Sequence, residues 1–243
     1  MVCDTLKRQV LIMGLQSELS TSVAQIFKEN WEKRNGQAVP DSDNLKLSND
    51  AVTLDGVVLY ADMSESTKLV DRSKAHFSAE IYKAYLHCAA KIISSETGTI
   101  TAYDGDRIMA VFIGDSKNTC AARAALKINY ARIHIINPAI KKQYPDSSYE
   151  VKHVVGIDTS NLWIARTGIR GSNDLVWVGR AANYAAKLCS LPNTHSTRIS
   201  KEVHDMLHKD VKFDNNGNNM WESVTWDETA RQIYRSNYWW SFS

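Results

Sequence analysis

Two β-rich runs, residues 99–103 and 107–113, flank the dipeptide Asp104-Gly105, and this is the feature that most narrowly limits what the chain can fold into. Asp-Gly between strand-forming segments is a strong hairpin signal, because glycine accepts the positive φ that a tight turn demands. A mostly apolar run at 57–61 reads as a second, buried strand that ends at Asp62. Residues 64–67 then offer N-cap side chains for a helix running to about Thr97, with Gly98 as its C′ residue. A long helix over 116–144 follows and is expected to bend near Pro138.

The remaining pattern alternates in the same way. Strands are expected at 150–158, 162–167 and 174–178, a helix at 180–190, a short strand near Arg198 and a helix at 201–208. The last thirty residues, with Trp221, Trp226, Trp239 and Trp240, read as β-rich and then irregular. Helices laid on one face of an antiparallel-rich sheet make the chain α+β, close to a ferredoxin-like arrangement. Residues 5–34 show apolar positions at Leu11, Leu15, Leu19, Val23 and Phe27, the spacing of a helical extension, before a polar linker containing Gly36 and Pro40. The expected divisions are an extension and linker at 1–50, a main domain at 51–210, and an aromatic-rich C-terminal extension at 211–243.

At 243 residues the chain can bury a large core without disulfides or a structural metal. A net charge of +2 is too balanced to mark nucleic acid or a membrane surface as a bulk partner. Cys3, Cys88, Cys120 and Cys189 are scattered with no Cys-x-x-Cys pair, which fits a reducing cytoplasm. The apolar run after Lys7 and Arg8 is too short for a membrane span. The expectation is a cytoplasmic protein with neither nucleic acid nor membrane as partner.

Asp62 closes a buried strand and Asp106 sits at a hairpin tip, where backbone can approach a ligand closely. Carboxylates on adjoining strand ends suit hard divalent cations, which take oxygen ligands and complete their shell with phosphates and water. From placement alone, Asp62 as a helix cap and Asp106 as an ordinary turn residue fit equally well.

The residues around them carry a resemblance. Leu59-Tyr60-Ala61-Asp62-Met63-Ser64-Glu65-Ser66-Thr67 resembles the first metal motif of the class III nucleotide cyclases. Asp104-Gly105-Asp106-Arg107-Ile108-Met109-Ala110-Val111-Phe112 resembles their second. Val178-Gly179-Arg180-Ala181-Ala182-Asn183-Tyr184-Ala185-Ala186-Lys187-Leu188 is similar to the family's Gly-x-x-x-Asn-x-x-x-Arg helix start. The three occur in family order over roughly residues 55–205.

The resemblance implies two divalent ions, Mn²⁺ or Mg²⁺, held by Asp62, Asp106 and the carbonyl of Met63. It implies that the helix opening at Ser64, Ser66 and Thr67 presents backbone N–H groups to the β- and γ-phosphates of a nucleoside triphosphate. It gives Asn183 the ribose, places Lys187 where the family has its transition-state arginine, and makes the enzyme a homodimer with sites at the interface. Lysine keeps the charge but loses the bidentate fork, so Arg180 or Arg107 is an alternative source. Glu65 stands where the family usually has glycine.

The base is where the chain departs. Family adenylate cyclases carry polar, purine-reading residues at the positions of Ala102 and Val176, and neither side chain here can hydrogen-bond a base. With the helical extension and aromatic tail, this resembles the pyrimidine cyclases (PycC) of bacterial Pycsar antiphage systems. That implies UTP converted to cyclic UMP, or CTP to cyclic CMP, with uridine preferred, and a separate effector activated by the product. Tyr60 is the first candidate to line the base or ribose pocket, Tyr103 and Asp174 the next. The alternatives are a catalytically dead, nucleotide-binding regulator, an adenylate or guanylate cyclase with an unusual base pocket, and another palm-like enzyme such as a dinucleotide cyclase.

Other signals read as structure. His204 and His208 at i, i+4 lack a third ligand and read as a solvated helix face. Ala121, Ala125, Ile128 and Ile135 read as a core stripe. Arg166, Arg170, Lys141 and Lys142 read as surface charge, and the aromatic tail as packing.

Overall fold

A computed structural model describes residues 2–242, with side chains from Gly14 onward; the side chains of Cys3, Lys7, Arg8 and Leu11 lie outside the described residues. The chain divides into two compact units.

The smaller unit comprises the residues up to Gly36, Pro40–Thr53 and Trp163–Trp177. It holds helix α1 (Val2–Lys28), strand β1 (Glu32–Asn35), the start of β2 (Asp50–Met63), the end of β5 (His153–Ile169) and most of β6 (Ser172–Val178). The helix expected over 5–34 ends at Lys28, and its last residues form a strand instead: β1 pairs in parallel with β2 from Glu32↔Asp50 to Asn35↔Thr53. Arg34 pairs with Asp50, and Trp31 meets Trp163 edge-on at 5.5 Å. The 3₁₀ turn Ser42–Asn44 is closed by a capping box from Asp41.

The larger unit comprises Gln37–Val39, Leu54–Leu162 and the chain from Val178 onward. Its strands run in the order β3 (Thr99–Asp104), β4 (Arg107–Phe112), β2, β5, β7 (Thr197–Ser200), β9 (Arg231–Ser236), β8 (Glu222–Trp226). In this unit β5 and β7 pair in parallel, whereas β2–β4, β3–β4, β7–β9 and β8–β9 are antiparallel. The expected α+β architecture with an antiparallel-rich sheet is what forms.

The hairpin at residues 99–112 matches expectation, with Gly105 at φ 60° in its tip. The single helix expected over 64–97 is two, α2 (Ser66–Arg72) and α3 (Ala75–Ser95), because Ser73 and Lys74 are extended. The separate element lets α3 bury its own face, Ile81, Tyr85, Ala89, Ile92 and Ile93, at helical spacing. The long helix is α4 (Lys117–Ala131) and α5 (Asn137–Gln143) joined by a π-helical turn at Arg132–Ile136, just ahead of Pro138. The wider turn advances the apolar face by a residue, so Ile135 is 45% exposed and Ile136 takes its place in the core at 4%. The strands expected at 150–158 and 162–167 are one strand, β5. Helix α7 is shorter than expected, Lys201–Asp205, and His204 is no solvated face residue: its ring stacks on Tyr234 at 3.6 Å.

Helix α6 (Arg180–Cys189) packs closely against β5. A Cβ on Gly156 would stand 2.2 Å from the carbonyl oxygen of Ala185 and 2.5 Å from the amide nitrogen of Cys189. We expect Gly156→Ala to push α6 away from the sheet and cost about 3 kcal/mol, lowering Tm by roughly 10 °C in a thermal melt. An unchanged Tm would show that α6 is less tightly seated than this contact requires.

Candidate active site

The ladder between β2 and β4 sorts the side chains. Leu59, Ala61, Ile108 and Ala110 lie on the face turned to the helices and belong to the main core. The opposite face carries Tyr60, Asp62, Arg107 and Met109, because Tyr60 stands opposite Met109 and Asp62 opposite Arg107. Ala102 stands opposite Met109 on β3, so Ala102, Met109 and Tyr60 form one cross-strand row. Tyr103 stands opposite Ile108 and so lies on the other face, away from Tyr60, with 56% of its surface exposed.

Asp62 and Asp106 are brought together at the end of this ladder, Asp106 one residue before the partner of Asp62. Arg107 Nη2 donates to Asp62 Oδ2 at 2.8 Å, and the same guanidinium lies 5.9 Å from the centroid of the Tyr60 ring. Among the described residues Asp106 makes no such ion pair, although the charge of Arg107 also reaches it. Ser66 at the head of α2 hydrogen-bonds its carboxyl, while Oδ2 is buried with no hydrogen-bond partner. Burial, with the charge of Asp62 adding to it, raises the Asp106 pKa above the usual aspartate range.

A buried, unpartnered carboxylate oxygen beside a second carboxylate calls for a hard cation. The donor set fits magnesium or manganese: Asp62, Asp106 and the carbonyl of Met63, all oxygen. Among the described residues no cluster of three or more His, Cys, Asp or Glu side chains offers a metal a complete protein cage. Two carboxylates with open coordination suit ions whose remaining ligands come from substrate phosphates and water.

The loop after Asp62 is firmly held. The Ser64 N–H donates to the Lys152 carbonyl at 2.8 Å, so it is not free for a phosphate. Glu65 adopts φ 62°, the left-handed region that glycine occupies without cost, which accounts for glycine at this position elsewhere in the family it resembles. Its carboxylate pairs with Lys68 and is thereby drawn along α2. Thr67 is exposed and Met63 buried.

Helix α6 presents Asn183 and Lys187 on an exposed face one turn apart. Lys187 pairs with Glu228, both half-exposed, an ion pair easily exchanged for another partner. Arg180 is committed elsewhere. Its guanidinium donates to Asp158 Oδ2 at 3.0 Å and Oδ1 at 3.2 Å, to the Thr159 carbonyl at 2.8 Å, and to Glu202 Oε1 at 2.8 Å. Those bonds compensate the buried Asp158 and anchor the start of α6, whose Ala181 N–H is also capped by Ser160 Oγ at 3.0 Å. Val176 and Asp174 belong to β6 within the smaller unit, where Val176 is 40% exposed. Sequence reasoning singled out neither the Arg107–Asp62 pair nor two buried polar residues of the larger unit, Tyr85 and His153; all depend on register or packing, which no local motif encodes.

No family model matches the chain. It is 55% identical over 230 residues to a uridylate cyclase of Xanthomonas perforans, covering 94% of this chain and 99% of that protein. A uridylate cyclase of Burkholderia cepacia is 50% identical over 94% of this chain and all of its own, and one of a Rhodovulum strain 36% identical over 93% and 98%. Among solved structures, a bacterial light-regulated adenylyl cyclase superposes with a TM-score of 0.66 at 17% identity, covering 81% of this chain and 55% of that longer one. The adenylyl cyclase CyaB from P. aeruginosa superposes at 0.59 and 22% identity, covering 76% and 95%. These structural likenesses carry the fold alone. Among the described residues no helix is long and apolar enough to cross a membrane.

Proposed function

The chain belongs to the class III nucleotide cyclases, and from that premise we propose that it converts UTP into 3′,5′-cyclic UMP and pyrophosphate. The observation that carries the chemistry is the Asp62–Asp106 pair at adjoining strand ends, with a buried Asp106 Oδ2 that has no hydrogen-bond partner among the described residues. Asp62, Asp106 and the Met63 carbonyl would hold two divalent cations, Mn²⁺ or Mg²⁺. Such ions, when bound, lower the pKa of an attacking hydroxyl and neutralise charge building on the phosphates.

The reaction joins the ribose 3′ oxygen to the α-phosphorus and breaks its bond to the β-phosphate, with the hydroxyl proton passing to solvent. The protein's share is orientation and charge, with no covalent step. Tyr60 supplies an aromatic wall on the metal face, where Ala102 and Met109 continue the row without a side chain that reads a purine edge. Arg107, already beside Asp62, is the guanidinium we assign to the substrate phosphates, while Arg180 stays in its anchoring network. Lys187 is left to neutralise charge as a single ammonium.

Asn183 and the metal pair act on one substrate from two chains. We read the active form as a homodimer in which the α6 face of one subunit closes the metal site of the other. The product serves as a messenger for a separate effector carrying a cyclic-nucleotide-binding domain in antiphage defence. This role rests on the sequence resemblance; a gene pair giving no protection in a phage plating assay would remove it.

Incubation with Mn²⁺ and equal amounts of ATP, GTP, CTP and UTP, followed by mass identification of products, tests the reaction. UTP should disappear first, giving one pyrophosphate per cyclic UMP. No pyrophosphate with any metal would sink the enzyme reading, and a cyclic purine nucleotide as main product would sink the substrate.

A further inference from the structure

Two buried polar side chains with no hydrogen-bond partner among the described residues lie together behind the loop that follows Asp62. Tyr85 of α3 is wholly buried, and its hydroxyl has no hydrogen-bond partner. His153, the first residue of β5, is 2% exposed, and neither of its ring nitrogens has one. The two ring centroids are 5.7 Å apart.

Their position relative to the loop follows from the backbone. The Ser64 N–H bond to the Lys152 carbonyl sets His153 alongside Met63. Met63 and Tyr85 belong to the same core cluster. The pair therefore comes at the loop from the helix side, opposite the face that presents Tyr60. The charges of Asp62 and Asp106 both reach the Tyr85 hydroxyl, consistent with that placement.

Packing alone explains neither residue. Phenylalanine and leucine would fill the same space without burying a polar atom that must be satisfied. Burial pushes the His153 imidazole down to about 3, so the ring is neutral and offers one donor and one acceptor. The tyrosine hydroxyl likewise offers both. Orphaned buried groups of this kind are ordinarily satisfied by an ordered water.

We propose that Tyr85 and His153 are positioning residues that form a water-linked polar seat beneath Met63–Ser64 and fix where Asp62 and the Met63 carbonyl point when a divalent cation binds. This rests on the metal reading of Asp62 and Asp106. The seat acts through the loop, so its loss weakens metal binding and leaves the nucleotide's own contacts in place.

The test compares Tyr85→Phe, which removes one oxygen, with the parent protein. Mn²⁺ is titrated without nucleotide while Tm is followed, and then in the cyclase assay. We expect the Mn²⁺ concentration giving half the Tm shift to rise about tenfold, as for other groups that orient metal ligands. The half-maximal Mn²⁺ in the assay should rise in parallel, with KM for UTP at saturating Mn²⁺ within twofold of the parent. His153→Leu should behave alike, and His153→Gln, which keeps a donor and an acceptor, should recover most of the loss. If Tyr85→Phe shows the parental Mn²⁺ midpoint, the seat is idle and the proposal falls. If the parent itself shows no Mn²⁺-dependent Tm shift, it is the metal reading of Asp62 and Asp106 that fails.

Discussion

Asp106→Asn should abolish cyclisation, by about 10³-fold or more, in a protein that folds as well as the parent. Asparagine keeps the size and one oxygen of the side chain but not the charge that two cations need between them. The hairpin that carries residue 106 does not depend on it, since Gly105 supplies the turn's positive φ and Asp104↔Arg107 closes the ladder. In metal-free protein the substitution removes a buried charge with an unpartnered oxygen, so Tm measured with a chelator should equal or exceed that of the parent. The discriminating result is the combination: a raised or equal Tm, no Tm shift on adding Mn²⁺, and no pyrophosphate. A folded Asp106→Asn protein that still turns over would remove the metal pair from the mechanism.

Mixing two inactive proteins should restore activity. On the proposed assignments, Asp106→Asn removes the metal pair and Asn183→Ala removes the ribose contact on α6. In a homodimer with sites across the interface, each mixed dimer holds one intact site and one doubly damaged site. Equal, freely exchanging amounts should then recover about a quarter of parental activity per subunit, since half of the dimers are mixed. Each mutant alone stays inactive at any concentration. If the mixture also stays inactive while subunit exchange is demonstrated, the metal pair and Asn183 serve their substrate from one chain. Loss of activity on dilution of the parent would provide an independent check.

The parts of this fold that could be read in advance were those with local causes. Asp104-Gly105 fixes a hairpin because the turn chemistry is contained in two residues. The run at 57–61 reveals a strand because its side chains are buried on both faces. The ends of that strand were hidden. Asp55 belongs to it although polar, because Lys117, from a helix distant in sequence, reaches it at 2.9 Å. Ser160 does not interrupt β5, because its hydroxyl is occupied in capping α6. Ile135 was assigned to the core on a period of 3.6, and the π turn changes that period where no composition rule signals it.

The site divides in the same manner. Asp62, Asp106 and Asn183 stand in contiguous motifs, so the sequence alone singles them out as candidates. The pairing of Arg107 with Asp62 spans 45 positions and exists only once β2 and β4 align. Tyr103 shows the cost of reading one strand without its neighbour. It is adjacent to Ala102 in sequence, yet the ladder turns it to the opposite side of the sheet.

The alignment of β2 with β4 also sets what kinds of change the protein can absorb over generations. Six consecutive pairs, from Val57↔Phe112 to Asp62↔Arg107, bring a carboxylate from one strand to a carboxylate beside the other. Replacing an apolar side chain within those pairs alters packing by degrees. Inserting or deleting one residue inverts every side chain beyond it, sending Asp62 into the core and Ala61 to the face that carries Tyr60. Length is therefore the guarded quantity in these two segments, more than identity at most of their positions. Drift in length is left to exposed turns such as the one around Asp214, Asn216 and Asn218, whose hydrogen bonds close on themselves.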